Sequence, residues 1–159
     1  MHQMNMKRII SSSFLMFGLL IFIQIDVFAC SCIELPQPPK QRIEGKLKYN
    51  QAVFTGKILE ITKKPVSRNV ISPDVLIKIK VERSWKEILP EVIFITSELS
   101  DGVSCGAYFE IGKSYLIYAQ GTDENSLTTS RCDFNTEVEK ATEDLNVLGK
   151  GKKPQKSKR

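Results

Sequence analysis

Cys30-Ser31-Cys32 constrains this chain more than any other three residues. The other two cysteines, Cys105 and Cys132, lie far downstream, so the four can pair completely, in one of three ways. A bridge from Cys30 to Cys32 spans a single residue and closes a strained ring. Both members of the triplet are therefore expected to reach across the fold to Cys105 and Cys132, with the two crossings left open. Bridges closing loops this long could each contribute roughly 4 kcal/mol. They persist in oxidising compartments.

The residues before the triplet point to such a compartment. Lys7 and Arg8 precede an almost purely apolar run from Phe14 to Ile23, and Val27-Phe28-Ala29 ends on a small residue. This is the three-part pattern of a cleavable secretory leader. Cleavage after Ala29 makes Cys30 the first residue of the mature chain, whose α-amine and carbonyl form a five-membered chelate for a metal ion. An uncleaved anchor is less well matched, because Ile9 to Ile25 is 17 residues with three serines, and a spanning helix needs about 20 apolar residues. Val27-Phe28-Ala29-Cys30 is also a poor lipobox: Phe28 is bulky, Val27 replaces leucine, and lipidation would leave three cysteines. The expected location is secreted or periplasmic, with a lipoprotein attached through Cys30 as the alternative.

Removal of residues 1–29 leaves 130, enough for one domain with a core. The leader takes Lys7, Arg8 and Asp26 with it, leaving 21 basic and 17 acidic residues. Six of those bases (Lys150, Lys152, Lys153, Lys156, Lys158 and Arg159) crowd the end, where there is no acid, so the body carries 15 bases against 17 acids. The high pI therefore belongs to the tail. Residues 150–159 are expected to be a solvated, disordered tail, with contact to an anionic surface as the functional alternative.

Between triplet and tail the periodicity is mostly that of strands. Pro36, Pro38 and Pro39 exclude a helix at first, and Ile43 and Leu47 then place a short helix over Lys40 to Tyr49. Ala52 to Ile61 reads as a strand with a bulge or bend at Gly56. Lys63 to Asp74 is a hairpin loop. Val75, Ile77, Ile79 and Val81 alternate with Leu76, Lys78, Lys80 and Glu82 in a half-buried strand running to Trp85. Val92 to Thr96, Ser114 to Ala119 and a short Leu127 to Thr129 complete five strands, with Ser97 to Cys105 as a loop. Thr136 is expected to cap a last helix with Glu139 as its capping-box partner. Val138, Ala141, Leu145 and Leu148 line its inner face, Glu143 and Asp144 point outward, and Gly149 ends it. Five short strands and a terminal helix suit a small closed barrel.

Much catalytic chemistry is missing. The only histidine is His2, in the leader. Nucleophile pairs using histidine and histidine metal clusters are thus excluded. No C-x-x-C occurs, so no zinc knuckle or thioredoxin-type site is indicated. Gly102, Gly106, Gly112 and Gly121 are scattered turns and do not form a phosphate loop. Trp85, Tyr115 and Tyr118 are expected to be core and rim aromatics rather than a stacking platform. Neither an enzyme nor a bound cofactor is expected, and export argues against nucleic acid.

Several segments together resemble the tissue inhibitor of metalloproteinases group and the wider netrin-like module, particularly its small single-domain bacterial members. They are Cys30-Ser31-Cys32, Ala52-Val53-Phe54-Thr55-Gly56-Lys57-Ile58, Ser84-Trp85-Lys86, Cys105-Gly106-Ala107-Tyr108-Phe109, Gly112 to Ala119 and Thr128 to Cys132. The resemblance covers residues 30–149. It implies a mainly β, five-stranded OB-fold barrel with flanking helices, and the protein is separately expected to be a monomer. It also implies the pairing Cys30–Cys105 and Cys32–Cys132. The family's function would make this a secreted metalloprotease inhibitor. In that role the amine and carbonyl of Cys30 grip the partner enzyme's catalytic zinc in trans, beside Ser31 and Cys32, and Gly102, Val103 and Ser104 form a second contact. The alternative is a non-inhibitory exported module that binds protein or polysaccharide.

Overall fold

The computed structural model describes residues 30–64, 74–100, 104–123 and 125–156. The leader, the tip of the first hairpin and the expected contact residues Gly102 and Val103 lie outside them. The chain forms helix α1 (Pro39–Tyr49) and strands β1 (Ala52–Lys63), β2 (Asp74–Ser84), β3 (Val92–Glu98), β4 (Ser114–Ala119) and β5 (Thr136–Glu137), and ends in helix α2 (Thr142–Leu148). The strands make one antiparallel sheet in the order β3-β2-β1-β4-β5.

Alternation along the strands sorts their side chains into two cores. On one face, Phe54, Ile58, Ile77, Ile79, Ile95 and Ile117 pack with Leu89, Phe109 and Leu127 from the connections. On the other, Val53, Leu116 and Tyr118 meet Ile43 of α1 and Ala141, with Leu47, Trp85, Leu145 and Leu148 at the margin. Tyr115 and Tyr118 are thus buried, and Trp85 is half-buried with its indole N–H donated to the Gly149 carbonyl at 2.9 Å. α1 starts on Pro38 and Pro39, as proline's fixed φ allows. Its C-terminal carbonyls are capped by the Lys86 ammonium, which reaches Leu47 O at 2.8 Å and also contacts Asn50 O.

Gly56 sits at the expected bulge, where the β1–β2 register slips between Thr55 and Gly56. A Cβ there would stand 2.4 Å from Ile79 Cγ2 and 3.1 Å from the Lys80 carbonyl oxygen. Gly56→Ala is accordingly expected to lose about 1–3 kcal/mol through overpacking, measured as a lower urea midpoint with an unchanged slope.

The C-terminal third departs from expectation in three places. Leu127–Thr129 is not a full strand: Thr128 bridges Thr96 of β3 on one side and Gln120, just past β4, on the other. The fifth strand is instead Thr136–Glu137, paired with Leu116 and Tyr115. Thr136 therefore caps no helix. A 3-10 turn follows over Val138–Lys140, and α2 begins only at Thr142. Finally, residues 150–156 do not hang free as the expected disordered tail. Lys152 exchanges both backbone hydrogen bonds with Ser84, and Gln155 bonds Leu89 and Glu91. Gly151 is buried against Trp85.

Candidate functional site

Four cysteines converge where the described chain begins. Cys30 is bridged to Cys105 and Cys32 to Cys132, with Cα separations of 5.3 and 5.2 Å, and no cysteine is free. Of the two crossings open to the sequence, this is the one that the family resemblance implied. The bridges lie side by side, with Cys30 Sγ 3.9 Å from Cys32 Sγ. Cys30 is buried to 9 % residual exposure, whereas Ser31 is exposed. The triplet therefore anchors its first residue in the protein and presents the second to solvent.

Each partner cysteine is placed by the backbone around it. Cys105 lies against the end of β3: its N–H donates to Glu98 Oε2 at 3.1 Å, and the Ala107 N–H donates to Ser97 Oγ at 2.9 Å. Between them Gly106 packs so close that a Cβ would stand 2.2 Å from the Glu98 carbonyl oxygen. Only glycine fits that approach. Cys132 rides on the 3-10 turn Arg131–Asp133. The Asp133 carboxylate accepts from the Ser130 N–H at 2.7 Å, the Ser130 hydroxyl at 2.8 Å and Gln120 Nε2 at 2.8 Å. The Arg131 N–H donates to the Cys105 carbonyl at 2.8 Å, joining the two segments directly.

From Cys32 to Pro38 the chain forms no regular element. The Glu34 carboxylate lies 3.4 Å from Lys46 Nζ and 3.9 Å from Arg42 Nε on α1. Ile33 and Leu35, on either side of it, are 82 % and 65 % exposed. Together with Tyr49 they rim a groove of about 350 Å³ that reaches Cys132 and Phe134. Ser104, the one residue of the expected second contact within the described chain, is half-buried, and its hydroxyl donates to the Leu99 carbonyl.

Behind the corner lies a polar network in which Asp144 corrects another expectation. It is buried, not outward-facing. It accepts the Tyr118 hydroxyl at 3.0 Å and is in direct contact with the Arg42 guanidinium. Burial first, and the Asp144 carboxylate second, push the Tyr118 phenol far above its ordinary range. For Arg42, burial works against the charge, but Asp144, Glu34 and Glu143 outweigh it and raise the guanidinium further. The network links the segment after the triplet, through Glu34 and α1, to α2.

Sequence reasoning found Cys30, Ser31 and Cys32 but missed Glu34, Arg42, Asp133 and Asp144. Of these only Asp133 had a local signal, since Ser130-x-x-Asp133 is a capping-box spacing. No protein-family model and no curated protein matches this chain. The two disulfides are compatible with an extracellular location. Among the described residues no helix is long and apolar enough to cross a membrane.

Proposed function

We propose that this protein is an exported inhibitor of zinc metalloendopeptidases, a binding protein rather than a catalyst, acting through a mature chain that begins at Cys30. The observation that carries the reading is the anchoring of that residue: Cys30 is buried and bridged, and the exposed Ser31 follows it directly. A catalytic zinc keeps one position open for water. The α-amine and carbonyl of one residue can fill it as a chelate, at the cost of a proton from an amine of pKa about 8. A terminus already fixed by two bridges loses little freedom on docking. In this reading Ser31 enters the pocket beside the zinc, and its small size makes it undemanding of pocket shape. Residues 102–104, just before the bridge partner Cys105, supply the second contact. The bridging of Thr128 to both Thr96 and Gln120 supports the further reading that the sheet closes as an OB-type barrel.

The test is direct. Edman sequencing of the exported protein should begin at Cys30 with a free amine. That material should inhibit at least one member of a panel of zinc endopeptidases assayed on a quenched fluorescent peptide. One alanine added ahead of Cys30 should weaken inhibition by about 100-fold or more, equivalent to roughly 2.7 kcal/mol, with an unchanged melting temperature. Equal inhibition by the extended chain, or an acylated Cys30, overturns the proposal. The second of these outcomes would identify a lipoprotein.

A further inference from the structure

The sulfurs of the two bridges form a single cluster. The Sγ atoms of Cys30, Cys32 and Cys132 all lie within 4.8 Å of one another, and Cys105 Sγ is bonded to Cys30 Sγ. Across the two bridges, Cys30 Sγ lies 3.9 Å from Cys32 Sγ. Zinc held by four thiolates at about 2.3 Å in a tetrahedron sets its sulfurs about 3.8 Å apart. The approach of Cys30 to Cys32 across the two bridges thus matches one edge of a tetrathiolate site.

We infer that the reduced chain binds one zinc ion through Cys30, Cys32, Cys105 and Cys132, so that metal and disulfides are alternative staples for the same corner. The sequence conceals this because C-x-C lacks the usual two- to four-residue spacing of a zinc ligand pair. The fold supplies what the spacing does not, by delivering Cys105 and Cys132 from two other segments.

The placement of those segments does not depend on the bridges alone. Gly106 pairs with Ser130, Arg131 donates to the Cys105 carbonyl, and Glu98 and Asp133 hold the flanking backbone. Glu34, two residues past Cys32, is held to α1 by its ion pairs with Lys46 and Arg42. Without its bridges the chain is only marginally stable, so these contacts re-form as an ion gathers the four thiols, and metal binding is coupled to folding.

A dithiol reductant gives each bridge two electrons and two protons, becoming a disulfide itself, and four thiols result. Zinc then displaces four protons and leaves a tetrathiolate centre. The ion loads in the reducing conditions of synthesis and leaves when a disulfide oxidant takes two electrons for each bridge formed, picks up two protons and becomes a dithiol. None of this rests on the inhibitor reading, and its test measures no inhibition.

The experiment uses the full chain, reduced anaerobically with a phosphine and titrated with cobalt(II), then with zinc. Expected are a one-to-one endpoint, sulfur-to-cobalt charge-transfer absorption with the intense visible bands of tetrahedral thiolate coordination, and their loss as zinc displaces cobalt. Zinc should also raise the melting temperature of the reduced chain. Cys105→Ser and Cys132→Ser should each weaken the metal by more than about 100-fold. Absence of charge-transfer absorption, unchanged affinity in both serine variants, or equal affinity of the chain unfolded in urea overturns the inference.

Discussion

Replacing Cys32 and Cys132 together by alanine is expected to lower the unfolding free energy by about 3.6 kcal/mol, and replacing Cys30 and Cys105 to lower it by about the same. The equality is not obvious, since the bridges close loops of 75 and 100 residues. Their endpoints interlock, however. With either bridge in place, the other closes only a circuit made of the two-residue step from Cys30 to Cys32 and the 27-residue step from Cys105 to Cys132. Removing all four cysteines also frees the first long loop, worth a further 4.5 kcal/mol or so, for a total of about 8 kcal/mol. That is comparable to the whole stability of an ordinary domain. The four-alanine chain should therefore be largely unfolded at 37 °C by circular dichroism, while each two-alanine chain stays folded with a melting temperature lower by roughly 10 °C or more. A much larger loss for Cys30 and Cys105 than for the other pair would show that packing of the buried Cys30, rather than loop closure, dominates. If the four-alanine chain is as stable as either two-alanine chain, the loop-closure account fails.

What could be read in the sequence was whatever repeats locally. β1, β2 and β4 have alternating or continuous apolar runs, and α1 has an apolar pair four apart, so each was found within a residue or two. β5 is two residues long and has no period to detect. Its position follows from Phe134, which turns the chain with φ of 55°, and from Asn135, whose side-chain oxygen accepts the Tyr118 N–H at 2.9 Å. Residues 150–156 look like a polar end because their order comes from pairing with Ser84 and Leu89, more than 60 residues earlier, which composition does not record. The same limit applies at the candidate site. The triplet announces itself, and parity sends both cysteines across the fold. The choice of crossing came from family resemblance, because no local rule selects it. Glu34 and Asp144 look like surface charges until α1 brings Arg42 to both of them.

Asp144→Ala is expected to cost about 2–4 kcal/mol, the largest effect of any single polar substitution proposed for this chain. The carboxylate serves the buried Tyr118 hydroxyl and the half-buried Arg42 guanidinium, so its removal strands the first and deprives the second of its nearest partner. Glu34 and Glu143 still flank Arg42 at 3.9 and 3.4 Å, which keeps the loss below that of a fully buried pair left with one member. Tyr118→Phe removes one donor and keeps the ring, and should cost only about 1 kcal/mol at neutral pH. The two effects separate on the alkaline side. The phenol is raised in the folded chain above its ordinary value of 10.0. Below pH 10 both states hold the proton and its contribution is complete. Above pH 10 the unfolded chain gives up a proton that the folded chain keeps, and stability falls with a slope approaching 1.4 kcal/mol per pH unit. Tyr118→Phe lacks this slope. The gap between wild type and Tyr118→Phe in urea unfolding should therefore close by about pH 11, where the linkage term reaches roughly 1.4 kcal/mol. A gap that stays constant from pH 7 to pH 11 would mean that the phenol titrates alike in both states, and the buried hydroxyl would then not be the proton donor that holds Asp144 in place.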